Sequence, residues 1–180
     1  MPCYYHCSPT PGIQTLEPRS PGYFDKPQRV YMSTLLPTAL FYGVRNFEYA
    51  YGYTKDGRLY YEEYFPDALQ ILYGGKPASL YTCAPASVFP TKIPYEAVSR
   101  EPVPVVSDQR IPDLLEALVE QERRGTLKLF RYEDLSEAQL AWIRKAISRE
   151  IQNLSPDQRS GPKGDYYRTY YPALWQEAGF

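Results

Sequence analysis

The stretch Cys3-Tyr4-Tyr5-His6-Cys7-Ser8 is where the reading of this chain begins. Read as a strand, it places Cys3, Tyr5 and Cys7 on one face and Tyr4, His6 and Ser8 on the other. His6 is the only histidine in 180 residues. A zinc site needs about four converging nitrogen or sulfur ligands, and alternation turns His6 away from both nearby cysteines. Cys83 is the only other thiol. The cysteines are therefore read as core residues rather than metal ligands, and the same separation speaks against a Cys-His nucleophilic pair. Two readings remain for His6: a ligand-binding histidine, or one satisfied inside a tyrosine-rich core.

Outward from this strand, residues 9–27 carry Pro, Gly, Ser and charge and read as loop, tacked to the body by Ile13 and Leu16. Arg29 to Ser33 is a second strand, with Tyr31 and Ser33 opposite Val30 and Met32. Pro37 suits the first turn of a short helix ending near Gly43. Asp56-Gly57 between the aromatic runs 47–54 and 58–64 is a hairpin signal. Glu62 and Glu63, on opposite faces of that hairpin, are expected to be solvated. A short helix over Ala68 to Tyr73 is closed by Gly74-Gly75, and Ser79 to Ala84 and Val103 to Val106 read as strands.

Beyond residue 107 the period changes. Ile111, Leu114, Leu115, Leu118 and Val119 form one helical stripe, with Gly125 just past its end. Arg123-Arg124, Lys128 and Arg131 form a small basic cluster whose commonest use is to balance the helix dipole and nearby acids. Leu127 to Arg131 is a short strand. Ser136 with Gln139 makes a capping box ahead of a second stripe, Leu140, Ile143, Ile147, Ile151 and Leu154. From Ser155 a polar Pro/Gly linker leads to the cluster Tyr166, Tyr167, Tyr170, Tyr171 and Trp175, expected to dock onto the body or onto a partner.

With 43% apolar and 23% charged residues, the chain has enough apolar material for one packed core. A net charge of -1 supplies no general basic field for nucleic acid. No stretch approaches the ~18 consecutive apolar residues of a membrane helix. The start lacks the basic and apolar regions of a secretory signal, and three cysteines are too few for a disulfide framework. A reduced, cytoplasmic protein is expected. Neither a phosphate loop nor a dinucleotide glycine fingerprint is present.

Several short motifs, taken in order, resemble the small bacterial ADP-ribosyltransferases, and among them the rifampin-modifying branch. They are Tyr5-His6-Cys7-Ser8, then Leu16-Glu17-Pro18, then Val30-Tyr31-Met32-Ser33 before a helix containing Ala39. Leu80-Tyr81 and Ser99-Arg100-Glu101-Pro102 follow further along. The whole chain also resembles an uncharacterised bacterial family with this N-terminal half and a helical C-terminal extension. The resemblance to the enzymes covers residues 3–107. It implies an NAD cleft in which His6 contacts a ribose hydroxyl, the Cys7 backbone holds the nicotinamide amide and Tyr31 stacks on the nicotinamide ring, with Ser8 and Ser33 in the same cleft. Two departures stand out. The family's glycine after the histidine is Cys7 here, whose side chain is expected to crowd the close backbone contact. The acidic residue that follows the branch's late strand is missing from residues 85–91. Glu96 and Glu101 are the candidate replacements for that acid, with Asp108 a further carboxylate that could reach in from elsewhere.

The expected fold is α+β: a mostly antiparallel sheet with short helices over residues 1–107, then two amphipathic helices over 108–154 packed on the same domain, then the aromatic tail, 155–180. The expected function is an ADP-ribosyltransferase-like NAD-binding protein whose target, a protein or small molecule, is not readable. The competing expectation is a catalytically inactive binding module of the same fold.

Overall fold

Strand β1 (Tyr4–Ser8) lies at the middle of the larger sheet in the computed structural model, which describes residues 3–19, 28–44, 46–48 and 50–180. After β1 come β2 (Thr15–Leu16), β3 (Val30–Ser33) and helix α1 (Leu36–Leu40), which runs into a 3-10 turn at Phe41–Gly43. The hairpin strands β4 (Tyr51–Tyr53) and β5 (Leu59–Glu62) precede α2 (Ala68–Tyr73) and β6 (Ala78–Cys83). Strands β7 (Phe89–Pro90), β8 (Glu96–Ser99) and β9 (Val103–Ile111) lead to α3 (Leu114–Arg123), β10 (Leu127–Phe130) and α4 (Glu137–Gln152). Three short helices close the chain: α5 (Pro156–Ser160), α6 (Pro162–Tyr170) and α7 (Pro172–Glu177).

The fold is α+β. Seven strands in the order β2-β9-β6-β1-β3-β8-β7 form an antiparallel sheet. A second sheet, β10-β5-β4, pairs the hairpin antiparallel and adds β10 parallel to β5. That parallel pair joins residues on either side of residue 107, and β9 runs through that residue. Parts of the loop read over residues 9–27 and of the strand read over residues 47–54 lie outside the described residues.

Alternation along the central strands sorts the core. Cys7 and Leu80 pack on one face with Phe41, Leu114 and Leu118, while Val30, Met32, Tyr81 and Val103 pack on the other. The hairpin turns at Gly57, whose φ of 81° is the left-handed conformation expected of Asp-Gly. Ile111 belongs to β9 rather than to the helix stripe, because Pro112 biases the residue before it to extended backbone. Helix α3 therefore starts one residue after Asp113, which caps it. The Asp113 carboxylate accepts from Leu115 N–H at 2.8 Å and Glu116 N–H at 3.3 Å, and from Gly75 N–H at 2.9 Å. Asp113→Ala unties both ends of the α2–α3 connection and is expected to cost about 1–2 kcal/mol in a urea titration.

The Ser136/Gln139 capping box opens α4, and Ile143, Ile147 and Ile151 form its buried stripe. Arg123 and Arg124 at the end of α3 both reach Glu120. Where a linker was expected after Ser155, the chain is helical. Ser155 and Gln158 form a second capping box, and Pro156, Pro162 and Pro172 each occupy the first turn of a helix, where their missing N–H costs nothing. Tyr166, Tyr167, Tyr171, Leu174 and Trp175 then bury against Phe65 and the α4 stripe, so the tail docks onto the body. Among the described residues, no helix is long and apolar enough to cross a membrane.

Candidate functional site

Strands β1 and β3 register at Tyr5 opposite Ser33. Beyond that pair, toward His6 and Tyr31, the imidazole takes over the join: His6 Nδ1–H donates to the Tyr31 carbonyl at 2.9 Å. A carbonyl only accepts, so this contact puts the proton on Nδ1 and leaves Nε2 as the acceptor. Burial lowers the His6 pKa from its ordinary 6.5; the bond to Tyr31 opposes this and the positive charge of Arg19 adds to it. The ring is therefore neutral at pH 7, and among the described residues its Nε2 makes no hydrogen bond.

Beside this junction is a pocket, open to solvent on one side, with a cavity volume of ≈ 60 Å³. Tyr5, His6 and Cys7 of β1, Tyr31 and Ser33 of β3 and Glu96 of β8 line it. Thr38 and Ala39 of α1, with Met32, Tyr42 and Tyr51, complete its wall. Glu96 stands directly opposite Ser33 in the β3–β8 register, which brings its carboxylate to the Ser33 end. Its Oε1 accepts from Thr91 Oγ1 at 2.7 Å. Tyr95, just before it, has a φ of 62°, and Thr34 N–H holds its carbonyl at 2.8 Å. A left-handed tyrosine costs about 1–3 kcal/mol, and such strain clusters where a side chain must be aimed.

Of the candidates read from sequence, His6, Cys7, Tyr31, Ser33 and Glu96 come together here. Ser8 and Glu101 are not among the lining residues. Glu101 is exposed at the β8–β9 corner, where its backbone bonds the Ser99 hydroxyl. Asp108 serves elsewhere, accepting from Gly12 N–H at 3.0 Å. The Ser33 hydroxyl both accepts from Leu35 N–H and donates to Leu35 C=O at 3.0 Å, so it closes the turn into α1 instead of facing a ligand. The Cys7 thiol packs in the core, where a Cβ on Gly43 would come within 2.9 Å of its sulfur. Gly43 leaves room for this side chain in the core, and burial pushes the thiol up to about 12, far from a thiolate.

Tyr42 and Tyr51 were not anticipated as wall residues. Their hydroxyls meet at 2.8 Å, one from a 3-10 turn and one from the hairpin. No local pattern signals this pairing, because it depends on how the smaller sheet packs over α1. An aromatic box with a carboxylate at one edge and a neutral imidazole at the other suits a planar ring attached to a sugar. Comparison with protein-family models finds no match, and comparison with curated proteins finds no similar chain.

Proposed function

We propose that this chain is an ADP-ribosyltransferase-like NAD-binding protein that transfers ADP-ribose to a protein or small-molecule target. The observation that carries the reading is the convergence of His6, Tyr31 and Glu96, from three different strands, on one pocket. Tyr31 packs the nicotinamide ring, the Cys7 backbone meets its amide and His6 Nε2 accepts from a ribose hydroxyl. When the glycosidic C–N bond breaks, its electron pair leaves with nicotinamide and the sugar becomes oxocarbenium-like. The Glu96 carboxylate stabilises that positive charge. The target's nucleophile bonds to the anomeric carbon and releases its proton.

Calorimetry should detect NAD binding by the native protein, with affinity falling about tenfold or more in His6→Ala, where one buried acceptor is lost. Glu96→Gln should retain NAD binding while nicotinamide release falls at least a hundredfold, the scale of losing one electrostatic stabiliser. No NAD binding at millimolar concentration sinks the proposal. The second reading, a catalytically inactive binding module, is favoured by the internal pairing of Tyr42 with Tyr51 and of Ser33 with its own turn. It predicts no nicotinamide release, and a native protein that binds no NAD at millimolar concentration favours it.

A further inference from the structure

On the backbone, Arg19 and Arg29 face each other as a doubly bonded antiparallel pair, with N–H to carbonyl distances of 3.1 and 3.2 Å. Side chains of directly opposed residues leave the same side of the sheet, and like charges placed so repel. Other arginines of this chain meet carboxylates: Arg124 meets Glu120, Arg144 meets Glu177 and Arg168 meets Asp165. Among the described residues, neither Arg19 nor Arg29 is in an ion pair, and the Arg29 Nε is buried without a hydrogen-bond partner. A buried guanidinium N–H left unpaired is costly, and an anion seated between the two side chains removes both penalties.

Their position along β3 connects them to the pocket. Val30 packs into the core behind the sheet, whereas Tyr31 and Ser33, together with the neighbouring Met32, line the pocket. Alternation puts Arg29 on the side of Tyr31, two residues away, or about 6.7 Å along the strand. One sugar ring spans that step.

We infer that Arg19 and Arg29 form a phosphate-binding site continuous with the Tyr31 pocket, so that the ligand is a planar ring joined through a sugar to a phosphate or diphosphate. The ring end rests on the reading given under Proposed function; the phosphate end stands on the arginine pair and is tested without a nucleotide. Glu96 lies at the opposite end of the same face, so the site is acidic where the ring enters and basic where the phosphate ends.

The probe is inorganic pyrophosphate, titrated calorimetrically into the full chain and into Arg19→Gln, Arg29→Gln, Arg29→Lys and Tyr31→Ala, each shown to be folded by its thermal melt. The native protein should bind pyrophosphate. Each glutamine variant should bind it about tenfold or more weakly, and Arg29→Lys should fall between, since it keeps the charge and loses the Nε donor. Tyr31→Ala should bind pyrophosphate normally and NAD weakly. Failure of the native protein to bind pyrophosphate, or equal binding by the folded glutamine variants, overturns the inference. If pyrophosphate binds through the arginines while NAD does not bind, the phosphate site stands and the NAD reading falls. If both glutamine variants hold NAD as the native protein does, the phosphate site falls alone.

Discussion

Replacing Glu63 by Ala is expected to remove about 3–5 kcal/mol of stability, the sum of two buried N–H groups losing a carboxylate acceptor. Glu63 is only 3% exposed. Its Oε1 accepts from Leu69 N–H at 2.8 Å and its Oε2 from Tyr132 N–H at 3.0 Å. The first bond does the work of a helix cap. Asp67, in the N-cap position of α2, has a φ of 57° and makes no side-chain cap bond, so the uncapped N–H of Leu69 in that first turn donates to Glu63. The second bond ties the chain after β10, at the 3-10 turn Tyr132–Asp134, back to the end of β5. Glu63→Gln should recover only part of the loss. Its amide oxygen replaces one acceptor, while its NH2 group faces the other N–H, donor against donor. Urea titrations of the two variants beside the native protein measure this directly, and a loss under about 1 kcal/mol for Ala would show that water replaces the carboxylate.

Glu63 also marks where sequence reading stops. Alternation correctly separates Glu62 from Glu63, but it says nothing about which face is covered, and the solvated hairpin expected there is instead half enclosed. The cover comes from β10, paired parallel to β5, and from the turn that follows it. Elements whose signals are local were legible. The α4 capping box and isoleucine stripe, the Asp56-Gly57 hairpin and the Gly125 helix stop all rest on contacts within a few residues. Strand β8 was not, since residues 96–99 sit among loop-forming residues and become a strand only by pairing with β3. The same holds at the pocket. Tyr31 and Ser33 were legible as one face of a strand because parity groups them, whereas His6 joined them only through the family resemblance. The choice of Glu96 over Glu101 depends on register with Ser33, which a single sequence does not encode locally. In the tail, the aromatic cluster was legible, but three prolines obscured its helices. Proline in a first helical turn and proline in a linker look alike until the Ser155/Gln158 box is noticed.

Between pH 4.5 and about 7 the protein is expected to lose on the order of 2–3 kcal/mol of stability as pH rises, through a single carboxyl, Glu48. Its Oε2 accepts from the hydroxyls of Tyr171 at 2.6 Å and Tyr166 at 3.2 Å, while its Oε1 is buried with no partner among the described residues. Burial raises its pKa from the usual 4.5 to about 7; the hydroxyls of Tyr171, Tyr166 and Tyr167 oppose the rise, and the Glu150 carboxylate of α4 adds to it. Tyr61 and Tyr64 also face it and are themselves pushed upward, chiefly by burial, so they stay neutral. The folded chain therefore holds this proton to higher pH than the unfolded chain does. Stability conferred by the protonated carboxyl is fully present below about pH 4.5, falls as pH climbs and is gone above about pH 7. Because Tyr166 belongs to α6 and Tyr171 is the cap residue between α6 and α7, the element loosened is the docked tail. Glu48→Gln should flatten the dependence over this window. The slope is the diagnostic, because a buried amide brings an unpartnered N–H of its own that shifts stability equally at every pH. Urea titrations at pH 5, 6, 7 and 8, followed by the fluorescence of buried Trp175, compare the two chains, and an unchanged slope in Glu48→Gln would place the titrating group elsewhere.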